Sequence, residues 1–471
     1  MLLLRRIIFY CLVVLYFIVC PVLLLFALGY TINPLTREVE QTGLIHLSTI
    51  PAGASVYLEH SRFVQKTPTN INELHPGQYH VTLDLPGYRT WGKQVAVSPG
   101  KATAFDKILL IPKDLSPSIF MAGTFRQLRP LTGTDFILTA QDVNLGSFQL
   151  HNWKTNKHFP LADHSSAWYG FPVLSVFHED DSKVFILYGG GLWERKYLFV
   201  DMKGDVPVIS DITKLFSKDP LLIKWDPASS NDLFPVYANY IDRIDVGTSA
   251  FYPRYLEDVK GCGFHNNKIF LVSNENVFTK YDHEKTKPES FLENKRMDTS
   301  ALGKNVFFNI MIYPDDLVFL QGEDGRLITN SAPYQLMDKG VLGIKYHERS
   351  KSLLVWTAGA VFSAKFVAGQ SGIKEWKFRQ VYQGGEDIKQ CFWALDASYV
   401  IVNDNDKIYV FETEPVSGFH GEALVSVKKG SLIFYSNETG CVYFLDEAGQ
   451  FRKIQLIPKE NIVEQLLNKD E

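Results

Sequence analysis

The chain has 471 residues, 46% hydrophobic and 13% aromatic, with 48 Lys plus Arg against 52 Asp plus Glu. That length suits two or three folded units with a large core, and a mildly acidic balance without a basic block gives no support to nucleic-acid binding. Of five cysteines, Cys11 and Cys20 fall in an N-terminal apolar run; Cys262, Cys391 and Cys441 allow at most one disulfide and form no C-x-x-C metal pair.

Arg5 and Arg6 precede a run from Ile7 to Tyr30 without a charged residue. As a helix it is long enough to cross a hydrocarbon core of about 30 Å, and Pro21 should bend it, which membrane helices tolerate. Residues 1–32 are therefore expected to be a cytoplasmic stub and transmembrane helix. The basic pair before the run and Arg37, Glu38 and Glu40 after it place the N-terminus in the cytoplasm and the bulk of the chain outside the plasma (inner) membrane. A cleaved signal peptide competes, since Ala27-Leu28-Gly29 has a small-x-small form; lipidation at Cys20 is disfavoured by Val19 and Pro21. Residues 33–42 read as a polar juxtamembrane linker.

Pro51-Ala52-Gly53-Ala54 then reads as a tight turn, Pro setting φ and Gly allowing a positive φ. It feeds a strand with Ala54, Val56 and Leu58 on one face. Strands are expected at about Leu44 to Thr49, Ser55 to Glu59, His80 to Asp84, Lys93 to Val97 and Phe105 to Ile111. Thr67-Pro68, Pro76-Gly77-x-Tyr79 and Pro86-Gly87-Tyr88 follow in order. This succession over residues 43–112 resembles the PEGA family of small extracytoplasmic β-domains, with Ala52 where the family motif has Glu. The resemblance implies a small β-sandwich involved in cell-surface attachment or interaction, without an activity of its own. Pro51, Gly53, Ala54, Thr67, Pro68, Pro76, Gly77, Tyr79, Pro86, Gly87 and Tyr88 are its structural marks. Glu59-His60-Ser61 stands where the family hairpin often has Asp-Gly.

Pro112-Lys113-Asp114 and Ser116-Pro117 make a linker over residues 113–118. From 119 to 457 no long helical periodicity occurs. Short apolar runs, each the second strand of its unit, recur at Asp135 to Thr139, Val184 to Tyr188, Leu233 to Tyr237, Lys268 to Val272, Leu317 to Leu320, Ser352 to Trp356, Tyr399 to Val402 and Ser431 to Tyr435. Turn-rich segments separate many of them from hairpin partners. A divergent period of about 35 to 50 residues in strand triplets or quartets indicates a β-propeller, with eight blades favoured and seven possible. Stacked β-sandwiches are the alternative. Tyr281 to Lys304 reads as an excursion from one blade, and residues 458–471 as a C-terminal tail. The fold class is all-β.

No zincin, G-x-S-x-G, P-loop or dinucleotide pattern is present. His151, His158, Asp163 and His164 lie near Trp153, Trp168 and Tyr169, but their spacing fixes no metal geometry; the aromatics could instead stack on sugars. Asn403-Asp404-Asn405-Asp406 lacks the length and glycine of an EF-hand loop and reads as a hairpin turn, and Glu179-Asp180-Asp181 as a polar turn. The expectation is no catalytic residue, cofactor or metal. The chain is expected to be a membrane-anchored, non-enzymatic binding or scaffold protein of the cell envelope, its propeller meeting a protein or glycan. Alternatives are a hydrolase or lyase with its site in the propeller funnel, and a sensor or assembly factor acting through a membrane partner.

Overall fold

In the computed structural model of the protein, the apolar run that opens the chain forms one α-helix, Leu2–Ala27, with Pro21 inside it. The structure describes all residues except 1, 34–36, 132–133, 142–147, 162–183, 191–194, 203–205, 217, 227–230, 283–288, 292–296, 298–301, 304–305, 369–373, 414–420 and 459–471. Side chains at 2–4, 6–8, 11, 127, 130, 141, 148, 184–190 and 195–196 also lie outside the description. Leu12, Val14, Leu15, Tyr16, Phe17 and Ile18 are all exposed around the helix, so none of its described faces is buried by the rest of the chain. Among the residues whose side chains are described, no helix is long and apolar enough to cross a membrane.

Gly29, at φ +80°, ends the helix in the left-handed conformation that glycine adopts without a Cβ penalty. The end of the stretch read as a linker forms one arm of a short hairpin. Tyr30–Ile32 pairs with Val39–Gln41, and the Thr42 amide donates back to the Gly29 carbonyl at 2.8 Å. Alternating apolar and polar residues on both arms let a short polar segment pair here.

Two sheets come next. Gly43–Ile50 lies between Thr69–Leu74 and Ala102–Leu109; the other sheet runs Ser61–Lys66, Ser55–Leu58, Gly77–Asp84, Trp91–Val97. Ile45, Leu47, Val56, Val81, Leu83 and Val95 fill the core between them, as period-two alternation requires of sheets wet on one side. The sequence reading missed Ser61–Lys66, whose side chains are mostly exposed, and Thr69–Leu74, where only Thr69 and Ile71 alternate into the core.

From Ser118 onward the strands among the described residues form eight successive antiparallel units. Unit 1 takes the second half of Ser118–Pro130 with Phe136–Gln141, Phe148–Asn152 and Lys157–Pro160; unit 2 takes Val184–Gly190, Arg195–Asp201 and Val208–Asp211. Unit 3 is Leu222–Trp225, Asp232–Val236, Tyr240–Asp245 and Ala250–Glu257; unit 4 is Gly261–His265, Lys268–Val272, Phe278–Asp282 and Glu289–Ser290. Unit 5 is Phe308–Tyr313, Leu317–Gly322, Leu327–Thr329 and Gln335–Met337; unit 6 is Gly343–His347, Ser352–Trp356, Ala360–Ala368 and Lys374–Gln383. Unit 7 is Ile388–Ala394, Tyr399–Asp404, Lys407–Glu412 and Gly421–Ser426. Unit 8 is Phe434–Ser436, Cys441–Leu445 and Gln450–Gln455, completed by the first half of Ser118–Pro130, which pairs with Gln450–Gln455.

Each neighbouring pair of units shares a buried apolar seam. Leu138 and Val200 lie between units 1 and 2, Phe199 and Trp225 between 2 and 3, Phe234 and Phe264 between 3 and 4, and Val272 and Phe308 between 4 and 5. Phe319 and Trp376 join 5 to 6, Leu354 and Trp393 join 6 to 7, Ile401 and Tyr435 join 7 to 8, and Phe451 and Phe125 join 8 back to 1. The arrangement is an all-β, propeller-like ring closed by the chain's own early strand.

The ring explains one error of register in the sequence reading. Ser431 to Tyr435 was expected as a second strand like the others; Phe434–Ser436 is the first strand of unit 8, and Cys441–Leu445 is the second. Unit 8 borrows its last strand from the start of the ring, so its own part of the sequence holds only three strands. Tyr281 lies inside a strand of unit 4, so the expected excursion begins after Asp282, and most of it lies outside the described residues.

Candidate binding surface

The structural marks of the small domain gather into three turns. Gly53 has φ +94°. Its amide donates to the Thr67 carbonyl at 2.8 Å, and the Ala54 amide to Thr67 Oγ1 at 2.9 Å, so Thr67-Pro68 clasps the Pro51-Ala52-Gly53-Ala54 turn. Tyr79 donates its hydroxyl to the His75 carbonyl at 2.9 Å, bracing the turn through Pro76 and Gly77. At Pro86-Gly87-Tyr88 the Gly87 carbonyl accepts from the Lys113 amide at 2.9 Å, and the Arg89 amide donates to Ile111 at 2.7 Å. That third turn holds the start of the chain leading into the ring.

The joint with the ring is the most elaborate polar feature the sequence reading missed. Trp91 Nε1 and Lys93 Nζ donate to the two Glu412 oxygens at 2.7 and 2.6 Å. The Lys93 side chain is 1% exposed and that of Glu412 13%. Tyr399 donates to the same carboxylate at 3.4 Å and accepts from the Leu109 amide at 2.8 Å. Burial, with the Glu412 charge beside it, pushes the Tyr399 phenol well above its ordinary range. Arg89 pairs with Glu422 at 2.7 Å and Lys107 with Asp396 at 2.5 Å. Ile50, Leu109 and Ile111 also enter the seam between units 7 and 8. One signal was readable: in the alternating strand Trp91-Lys93-Val95-Val97 the lysine falls on the buried face, where a charge requires a partner.

Beside this joint lies a cleft of about 410 Å³ between the small domain and units 6 and 7. Trp91 and Phe105 line one wall; Lys365 and Arg379, both exposed, and the hydroxyls of Ser350 and Ser352 line the other. A second groove, of about 640 Å³, lies between units 4 and 5 and is lined by Phe270, Phe291, Tyr313, His265, Lys268 and Lys280. The first cleft is lined mainly by polar and charged side chains and the second mixes aromatic with basic ones.

The other residues singled out from sequence are dispersed. His151 and His158 face each other across neighbouring strands, Nδ1 to Nδ1 at 3.1 Å. Trp153 packs in the seam between units 8 and 1, beneath Lys154 at 5.4 Å. Asp163, His164, Trp168, Tyr169 and Glu179-Asp180-Asp181 lie outside the described residues. Asn403 to Asp406 is a hairpin turn, with Asn405 at φ +54°. The Asp404 carboxylate accepts from Tyr382 Oη and the amides of Glu386 and Asp387, so it is committed to the fold. Cys262, Cys391 and Cys441 are free thiols. Among the described residues no three His, Cys, Asp or Glu side chains gather as a metal site would require.

The histidine pair makes a prediction. Burial and the neighbouring His158 lower the His151 pKa to about 4. The unfolded chain, with an ordinary histidine near 6.5, then binds more protons than the folded one, so stability is full above about pH 6.5 and falls as pH drops toward 4. Melting temperature is expected to fall across that window, and His151→Gln to flatten the fall. An unchanged slope in the variant would refute the assignment.

The chain thus folds as an all-β protein, a small two-sheet domain joined to a propeller-like ring. The family model described as "PEGA domain" matches residues 42–110. No curated protein matches the chain. A solved structure described as the β-propeller domain of Cps50 (Swd1) from Myceliophteria thermophila is similar at 12% identity and TM-score 0.42, over 73% of this chain and 99% of that one.

Proposed function

We propose that this is a single-pass membrane-anchored binding or scaffold protein of the cell envelope, with its small domain and eight-bladed propeller outside the plasma membrane. The observation that carries the reading is the joint. A shared core and the Lys93–Glu412 pair hold the ring in a fixed orientation on the small domain, so the two act as one presenting surface. Anchoring is supported by the sequence, in which Ile7 to Tyr30 is a run without a charged residue, long enough as a helix for a hydrocarbon core of about 30 Å. Arg5 and Arg6 at its start favour a cytoplasmic N-terminus. The surface we assign to a protein partner is the cleft beside the joint, lined by the exposed Lys365 and Arg379 and the half-buried Phe105; arginine and aromatic side chains are favoured interface anchors.

The test is capture of partners from detergent-solubilised membranes by the tagged full chain, compared with a Lys365→Glu, Arg379→Glu chain. Loss of specific partners from the charge-reversed chain is expected. Recovery of the same set would place recognition elsewhere. A chain lacking residues 2–27 should move to the soluble fraction, and its retention in membranes would refute the anchor.

A further inference from the structure

In the small domain Gly43–Ile50 pairs with Thr69–Leu74 on one side and, in parallel, with Ala102–Leu109 on the other. Ala102–Leu109 has no second neighbour among the described strands. Leu44 stands opposite Ala102 and donates its amide to the Lys101 carbonyl at 3.2 Å. In a parallel ladder such a residue bonds to the two residues that flank its partner, so Thr103 and Phe105 turn their backbone groups toward Gly43–Ile50. Ala102 and Ala104 turn theirs away, and among the described residues no backbone bond is made to them on that side.

The ring covers the far end of this edge. The Leu109 amide donates to Tyr399 Oη at 2.8 Å. An irregularity between Phe105 and Ile108, with Lys107 at φ +62°, aims the Lys107 ammonium at Asp396 of unit 7, and bulges of this kind end strand pairing. The near end opens instead into the cleft of about 410 Å³, which Thr103, Ala104, Phe105 and Asp106 all line. Successive side chains of a strand point to opposite faces, so four consecutive residues line a cavity together when the strand meets it edge-on.

The opposite wall supplies the charge. Lys365 and Arg379 are exposed there, on neighbouring strands of unit 6. The carboxylates of the cleft already face bases: Glu412 meets Lys93, Asp396 meets Lys107, and Asp106 lies 3.4 Å from His46 Nε2. Arg379, by contrast, meets no carboxylate among the described residues. A guanidinium thus shares the cleft with an open strand edge, and its planar fork favours a carboxylate.

We infer that the cleft takes an extended acidic segment of a partner protein, which adds as a further strand to the free edge of Ala102–Leu109 and sets a carboxylate against Arg379. This rests on the reading of the cleft as the partner surface and adds how the partner is held. Backbone bonds to Ala102 and Ala104 supply affinity, and the guanidinium supplies the preference for acid.

The test is selection from a random dodecapeptide display library on the full chain in detergent, followed by titration of the enriched peptide. Acidic, proline-poor peptides are expected. Binding should slow hydrogen exchange at the Ala102 and Ala104 amides and leave Thr103 and Phe105, already bonded within the sheet, unchanged. N-methylation of the peptide at one set of alternate residues should weaken binding about tenfold or more, and at the other set by less than about threefold. Arg379→Gln should weaken it about threefold or more, with melting temperature held. No enriched peptide, enrichment of proline-rich or basic ones, or binding that ignores Arg379→Gln overturns the inference. If Arg379→Gln weakens binding while both methylated peptides bind like the parent, strand addition is overturned and the cleft reading stands. The cleft reading fails separately, when partner capture from membranes ignores the charge reversal at Lys365 and Arg379.

Discussion

Replacing Glu412 with alanine is expected to destabilise the protein by about 3–5 kcal/mol, the cost of leaving one partner of a buried ion pair uncompensated. The Glu412 carboxylate accepts from Lys93, Trp91 and Tyr399 together, and Lys93 has almost no access to water. Its removal strands an ammonium and an indole N–H at the joint. The loss should concentrate there, so limited proteolysis should cut between the small domain and the ring before the ring unfolds. The double variant Lys93→Met, Glu412→Leu separates charge from packing. Apolar residues of similar size often replace a buried pair at little cost, so it should recover most of the loss in urea unfolding. Equal destabilisation of single and double variants would show that the joint depends on shape and not on the pair.

Much of this architecture could be read from the sequence, for reasons that vary by element. Hairpin strands such as Lys268–Val272 and Ser352–Trp356 are short apolar runs bounded by turn residues, and pattern alone locates them. The turn at Gly53 needs a positive φ, and the sequence marks it with glycine after proline. What could not be read is long-range. Glu412 lies 319 residues from Lys93, and no local pattern announces so distant a partner. The open edge of Ala102–Leu109 emerges only once registers are known, because the outward turn of Ala102 and Ala104 depends on their pairing with Leu44 and His46. Ser431 to Tyr435 was misassigned for a related reason: the strand that completes unit 8 comes from the opposite end of the ring sequence.

That closure leads to the second large effect. Phe451 is fully buried where the last unit meets the first, edge-on to Phe120 at 5.0 Å and near Phe125 at 6.4 Å. Its own strand pairs with Ser118 to Thr124, the segment that completes unit 8. Phe451→Ala should therefore cost about 3–5 kcal/mol, as large-to-small aromatic truncations in packed cores do. The loss should also have a direction. An aromatic of the same size in another seam, such as Phe234 between units 3 and 4, sits where the chain is continuous, and its truncation should destabilise without opening the ring. Phe451 sits where only strand pairing and side-chain packing hold the ends together. Hydrogen exchange should then show faster exchange at Ser118 to Thr124 and at Gln450 to Gln455 in Phe451→Ala, but not in Phe234→Ala. If both variants open the same amides to the same extent, the closure is no weaker than any other seam, and the ring unfolds as one cooperative unit.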